Sequence, residues 1–301
     1  MAHFFGIDIG GSNIKIGLVD SKYGLLEKVK YPTKDLRKKD DFVQGFSDVL
    51  KNEFENHPEV EEIGLGVPGT ISRDARSTLE LPNLGDLGNT NLLERLESNH
   101  PGKHFYLDND AHVAALGEYY FGKEKVPENY VFITLGTGVG GAAIIDHHIF
   151  RGGDGNPMEI GHIMSQDGKT LETIIGKAGL KEMLNDMLKK NKSKILGNKV
   201  ENWDTKQVLA AAKENDKVAL KVFKRIGVLL GEALVSTIRL LDIKTIIVGG
   251  GISQSYNYVI EPMEKVLMKN LTPYYTSRLE IKKATLANEA GIVGAASLCF
   301  K

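Results

Sequence analysis

The 301-residue sequence has a single cysteine, Cys299, so an internal disulfide is impossible and no cysteine-rich metal signature can be assembled. That usage fits a reducing, cytoplasmic compartment. No run of about eighteen apolar residues occurs, which excludes an obvious membrane-spanning helix. The N-terminal MAHFFGIDIGG lacks the charged start and apolar core of a signal peptide. An excess of one charge is missing too: 38 Lys and Arg against 39 Asp and Glu leave a formal net charge of -1. That balance removes the electrostatic case for wrapping nucleic acid or lying on an anionic membrane, and points to small-molecule partners. Low-complexity linkers are absent. What is present is ordinary globular composition, 42% hydrophobic and 26% charged, in a chain about twice the length of a typical domain. Glycine, at 33 residues, is the departure from average usage, and its clusters are where function starts to show.

FFGIDIGGSNIKIGLVD (4–20) is two β-rich runs around a Gly-Gly-Ser-Asn turn and reads as a hairpin. A polar helix is expected over 40–56, buried strands at IGLGVPG (63–69) and HFYLDND (104–110), and a helix over 111–122 with Asp108 or Asp110 near its N-terminus. NYVFITLGTGVGGAAIIDHH (129–148) repeats the strand, glycine turn, strand pattern. Aligning Asp8 with Thr134 matches Gly10 to Gly136, Gly17 to Ala143 and Asp20 to Asp146. Residues 171–240 read as mostly helical, with a solvated lysine-rich stretch around 189–199. KTIIVGGGIS (244–253) reads as a strand running into glycines, and NEAGIVGAASLCF as a small-residue helix. The pattern predicts a duplicated α/β domain with a cleft between the copies.

GTGVGG (136–141) formally matches the dinucleotide-binding fingerprint, but a strand follows where that fingerprint requires a helix. A Walker A sequence is also lacking. The remaining reading is a hairpin turn whose amides converge on an anion, repeated in two corresponding positions. A lone glycine hairpin is ordinarily only a turn; two of them plus VGGG fit a phosphate cradle better.

DIGGSNIKIGLVD, GVPG, LPNL, DNDAHVAALGE, TLGTGVGG, EIGH and VGGG, in this order along almost the whole chain, resemble the ROK family of sugar kinases and sugar-responsive repressors. The resemblance implies two ribonuclease-H-like domains of the actin and hexokinase type, with ATP and a sugar in the interdomain cleft. The domains are expected at 1–112, completed by the C-terminal helix 288–301, and at 113–287. It implies that Gly10, Gly11, Ser12, Gly136, Thr137 and Gly138 meet the phosphates, with Asn13 and Lys15 in the same loop. Gly249 and Gly250 would lie beside the nucleoside, and Asp8 would act on Mg2+ through water. Asp110 would be the general base, although an Asp at this place could equally cap the helix. Gly69, Asn83 and Asn109 would bind the sugar. GNPMEIGH (155–162) resembles the loop that brings Glu159 and His162 to the ring.

Family members usually carry a zinc site of one His and three cysteines after that loop; here only nine residues separate His162 from Glu172 and the cysteines are absent. No structural zinc is therefore expected, and Glu172 resembles a retained second sugar carboxylate. Two departures concern the sugar and the donor. Asn13, followed two residues later by Lys15, stands where the family often has Lys, and Pro157-Met158 replaces Ala-Gly. The first resembles polyphosphate glucokinases, which also lack the cysteines, whereas the long helical segment after Glu172 resembles the ATP-dependent kinases. His147, His148 and the run Lys189–Lys194 read as solvated. The expectation is an ATP-dependent hexose kinase, glucose first, working as a cytoplasmic homodimer. Polyphosphate glucokinase, an N-acetylglucosamine or N-acetylmannosamine kinase, and a sugar-sensing regulator are the alternatives. The regulator lacks a DNA-binding module here, because the first strand starts at residue 4.

Overall fold

The computed structural model describes residues 2–37, 41–197, 205–251 and 255–300; the parts of the expected elements that fall on 40, 198–199, 252–253 and 301 lie outside them. The chain divides into two compact units, Met1–Val126 with His147–Pro157 and Asn288–Lys301, and Pro127–Asp146 with Met158–Ala287.

The first unit opens with β1 (His3–Ile9), β2 (Asn13–Asp20), β3 (Gly24–Pro32), α1 (Thr33–Leu36) and α2 (Phe42–Asn56). It continues with β4 (Glu62–Val67), α3 (Leu92–Asn99), β5 (His104–Asn109) and α4 (Asp110–Phe121). Its sheet runs β3-β2-β1-β4-β5, antiparallel across β1–β3 and parallel from β1 through β4 to β5. Helix α2 starts where the Asp41 carboxylate accepts from the Val43 amide at 2.9 Å, and it buries Phe42, Val43, Phe46 and Leu50 against the sheet core of Phe5, Ile7, Ile63 and Leu65.

The second unit contains β6 (Tyr130–Leu135), β7 (Val139–Ile145), α5 (Leu171–Ile175), α6 (Lys177–Lys190), α7 (Thr205–Lys213) and α8 (Lys217–Leu241), while β8 (His148–Ile149) falls in the segment grouped with the first unit. These are followed by β9 (Thr245–Gly249), α9 (Tyr256–Asn270), α10 (Pro273–Thr276) and β10 (Glu280–Lys283). Its sheet order is β10-β9-β6-β7-β8, with β6–β7 antiparallel and β6–β9 and β9–β10 parallel. Read from the other edge, this is the order of the first sheet with the same strand directions, so the repeat seen in the two glycine hairpins extends to whole sheets. The hairpins differ in one respect. Ile9 faces Ile14 across a four-residue turn, whereas Leu135 faces Val139 across three. The sequence alignment therefore holds on β1 and β6 and slips by one beyond the turn: Gly17, opposite Gly6, corresponds to Ala142, opposite Phe132, rather than to Ala143. Asp20 likewise corresponds to Ile145 rather than to Asp146.

Helix α11 (Ala290–Ser297) returns to the first unit. Its backbone touches backbone on two sides: a Cβ on Gly64 of β4 would fall 1.7 Å from the Ala295 carbonyl, and one on Gly294 would fall 1.6 Å from the Val113 carbonyl of α4. This contact explains why the division expected at 112/113 falls instead at 126/127. Helix α4 is packed onto α11 through Gly117 and Gly294 and belongs with the first sheet.

His100, half-buried between the rings of Phe54 (5.1 Å) and Phe105 (6.2 Å), titrates below the ordinary histidine range, first because burial disfavours the imidazolium and then because Lys103 is near. Such a group contributes stability above its unfolded value of 6.5 and loses it as the pH falls through the lower folded value. His100→Phe is expected to flatten the decline in stability between about pH 7 and about pH 5. Urea unfolding at both pH values reads this, and an unchanged decline would remove His100 as a cause.

Candidate functional site

The first glycine turn is fastened to its surroundings. The Gly10 amide donates to Asn13 O at 3.0 Å, the Thr33 hydroxyl donates to Gly10 O at 2.6 Å, and the Thr33 amide donates to Ser12 O at 3.1 Å. Gly11 lies against Asn83, where an added Cβ would come within 2.7 Å of the Asn83 Cβ. Arg37 secures this neighbour by donating to Asn83 O at 2.8 Å and by holding Asp86 with both Nε and Nη2 at 3.0 Å. Asp8 and Lys15 sit opposite each other on β1 and β2 and form an ion pair at 2.5 Å. Gly291, at the start of α11, leaves room for the Asp8 carboxyl, 3.2 Å from where its own Cβ would be. The structure thus brings Asp8, Gly10, Gly11, Ser12, Asn13, Lys15 and Asn83 together.

At the end of β5 the cap of α4 is Asn109, not Asp108 or Asp110. Its Oδ1 accepts from the Ala111 amide at 2.8 Å and the His112 amide at 3.4 Å, and its Nδ2 donates to Gly69 O at 2.9 Å. One Nδ2 hydrogen is left for a ligand. Gly69 has φ +90, and a side chain there would collide with Glu80 O at 2.1 Å, so only glycine fits this support for Asn109. Asp110 is the first residue of α4, where the helix dipole favours a negative charge.

In the second unit, His162 stands between two carboxylates: Glu159 Oε2 lies 3.6 Å from Nδ1, and Glu172 Oε1 lies 4.0 Å from Nε2. All three are partly open to solvent. The other oxygen of Glu172 accepts from the Val139 amide at 2.8 Å, tying the carboxylate to the second glycine turn. A Cβ at Gly138 would stand 2.2 Å from Glu172 Oε2, so a side chain there would displace the carboxylate. The Gly136 amide donates to Gly138 O at 2.9 Å, and Thr137 O accepts from the Lys177 amide at 3.0 Å. The Gly10 and Gly136 amides are both engaged inside their own turns. Any amide these turns offer to an anion therefore comes from Gly11, Ser12, Asn13, Thr137 or Gly138. Gly249 ends β9 against the Phe132 ring, and Gly250, with φ +81, meets the backbone of Leu135, so packing accounts for both glycines.

The short loop between His162 and Glu172 is closed on itself and pinned to helices. The Leu171 amide donates to Ile163 O at 3.0 Å, and the Ser165 amide donates to Lys169 O at 2.8 Å. Gln166 accepts from Arg225 and donates to Glu232 at 3.2 Å, both on α8, while Lys169 pairs with Glu182 on α6 at 3.3 Å. Among the described residues, no group of three or more His, Cys, Asp or Glu side chains could hold a metal ion.

Sequence reasoning did not single out His112, Arg151, Asn156, Gln166 or Arg225. Arg151, Asn156, Gln166 and Arg225 act through contacts distant in sequence, and His112 through Asp108 four residues before it. His147 is exposed in the turn before β8 and pairs with the Tyr119 hydroxyl at 2.7 Å; Lys189 and Lys190 are exposed at the end of α6.

The ROK family profile matches residues 4–301. The glucokinase of Thermotoga maritima is 29% identical over 97% of this chain and 96% of its own. A crystal structure from Cytophaga hutchinsonii superposes with a TM-score of 0.91 at 35% identity, covering 100% of both chains. A ROK family glucokinase from Streptomyces griseus, solved with glucose and AMPPNP, superposes with a TM-score of 0.80 at 29% identity over 99% of each chain. With an actin and hexokinase type fold and its motifs spread over both units, the chain belongs to the ROK family.

Proposed function

We propose that the protein is a sugar kinase that transfers the γ-phosphate of ATP to the 6-hydroxyl of a hexose, glucose before others, with Asp110 as general base. The observation that carries this reading is the Asn109–Asp110 turn. Asn109 caps α4 and is propped by Gly69, so Asp110 is presented at the helix start without being needed as the cap. The carboxylate accepts the proton of the attacking hydroxyl; the sugar oxygen bonds to the γ-phosphorus as its bond to the β-phosphate bridging oxygen breaks, and ADP leaves. Glu159, His162 and Glu172 supply acceptors and a donor for vicinal ring hydroxyls, and the remaining Asn109 Nδ2 hydrogen supplies another. The amides of Gly11, Ser12, Thr137 and Gly138 serve the phosphates.

Magnesium fits the residues present. A single carboxylate, Asp8, beside a phosphate-sized glycine turn suits an ion that keeps most of its ligands as water and phosphate oxygens. Asp8 would hold it through water, and when bound it would neutralise charge on the transferring phosphate. The same reading includes a cytoplasmic homodimer acting on small molecules, without nucleic acid or membrane; among the described residues no helix is long and apolar enough to cross one.

The test is product formation from glucose, mannose, fructose, N-acetylglucosamine and N-acetylmannosamine, each with Mg-ATP and with polyphosphate. Rapid glucose 6-phosphate formation with ATP is expected. Preference for polyphosphate or an acetylated sugar would rename the enzyme, and no turnover with any pair would leave the sugar-sensing regulator. Because Gln166 ties the sugar loop to α8, Arg225→Met is expected to raise the sugar KM several-fold while the ATP KM stays. Zinc chelation is expected to change neither; a chelator effect that magnesium does not reverse would reveal a metal in that loop.

A further inference from the structure

Directly beneath the Asn109–Asp110 turn lies a buried charged cluster to which the proposed reaction assigns no part. Asp108 is 0% exposed at the end of β5, and both its oxygens are used. Oδ1 accepts from the Asn109 amide and from His112 Nδ1, each at 2.8 Å, and Oδ2 accepts from Arg151 Nη2 at 2.7 Å. An ionised carboxylate only accepts, so His112 carries its proton on Nδ1. Burial pushes the Asp108 carboxyl up, but the hydrogen bond and charge of His112, the charge of Arg151 and the Asn109 amide together hold it below the usual carboxylate range. Arg151 comes from the strap 147–157, which is fastened a second time where Asn156 accepts from the Ile71 amide and donates to Ile71 O, both at 2.8 Å. The same strap runs on in sequence to Glu159 and His162.

We propose that Asp108 and Arg151 are positioning residues for the base: a buried carboxylate, paired with a half-exposed guanidinium and locked by His112, that fixes the Asn109–Asp110 turn and balances the charge beside it. The inference rests on the reading of Asp110 as base. Few other charges compete. Among the elements packed on α4, α11 brings no ionisable side chain, β4 only Glu62 at its far end, and β5 Asp108, Tyr106 and, at its far end, His104. Helix α4 itself adds His112 and, further along, Glu118 and two tyrosines, while the one acid of the strap, Asp154, faces Arg73.

Removing Arg151 strands the buried Asp108 charge, whereas removing both does not, so the double variant separates charge balance from simple packing. The experiment measures kcat, KM and the pH profile of sugar phosphorylation for Arg151→Met, Arg151→Lys, Asp108→Asn and the double variant D108N/R151M. Arg151→Met is expected to lower kcat about tenfold or more with little change in the ATP KM, Arg151→Lys to recover most of that loss, and the double variant to outperform Arg151→Met. Asp108→Asn removes a negative charge two residues from Asp110 and leaves the Arg151 cation, so the acidic limb of kcat is expected to move down by about half a pH unit. A role in packing alone would leave that limb in place. If Asp108→Asn does not fold, the double variant still reports the contribution of charge. Additive losses with an unmoved limb would overturn the inference while leaving Asp110 as base; full activity in Asp110→Asn would overturn the reading beneath it.

Discussion

Asp110→Asn is expected to lower kcat on the order of a hundred- to ten-thousandfold while the affinity for glucose, measured by calorimetry, stays within a few-fold. The split follows from the local structure. Asn109, not Asp110, caps α4, and Gly69 props Asn109 from behind, so an amide at 110 leaves the helix start and its ligand-facing donor intact. The isosteric Asn can still accept a hydrogen bond from a sugar hydroxyl, but it cannot take the proton. Loss of affinity in step with kcat would mean that Asp110 chiefly binds; retained turnover would remove it as the base.

Gly294→Val is expected to destabilise the protein by about 3 kcal/mol or more, a large share of the stability of a unit this size. The first carbon of any side chain at 294 would stand 1.6 Å from the Val113 carbonyl, and backbone in the middle of α4 cannot yield as a flexible side chain does. α4 and α11 must separate, and Asp110 sits at the end of the helix that moves. Gly85→Ala is the matched control: nothing lies within 4 Å of the position its Cβ would take. That change is expected to stay within about 0.5 kcal/mol. Thermal unfolding reads both variants, and equal effects would show that the close approach of α11 does not govern stability.

Much of the fold was readable because the relevant signals are local. Glycine turns between apolar runs announced both hairpins, the polar stretch over 40–56 announced a helix, and the run of small residues at the C-terminus announced another. The domain limit was not readable. Nothing in the sequence around 112 says that α4 stays with the first sheet, because that allegiance is created by Gly117 and Gly294 meeting α11 across more than half the chain. The one-residue slip between the hairpins was hidden for a related reason: turn length is fixed by strand pairing, and the strands alone look alike in sequence.

The candidate site divides along the same line. Which residues are candidates for the chemistry, Asp110 and Asn109 in one motif, Glu159 and His162 in another and the glycines in two turns, was set by the sequence, because short motifs place those groups within a few residues of one another. Which atoms remain available was decided by tertiary structure. Folding gives the Asn109 oxygen to the helix cap, joins Gly10 and Gly136 into their own turns, ties Glu172 to Val139 and sets Arg151 on Asp108. Sequence proximity can bring a donor and an acceptor onto the same element; only burial and packing from distant segments determine whether they face each other or a ligand.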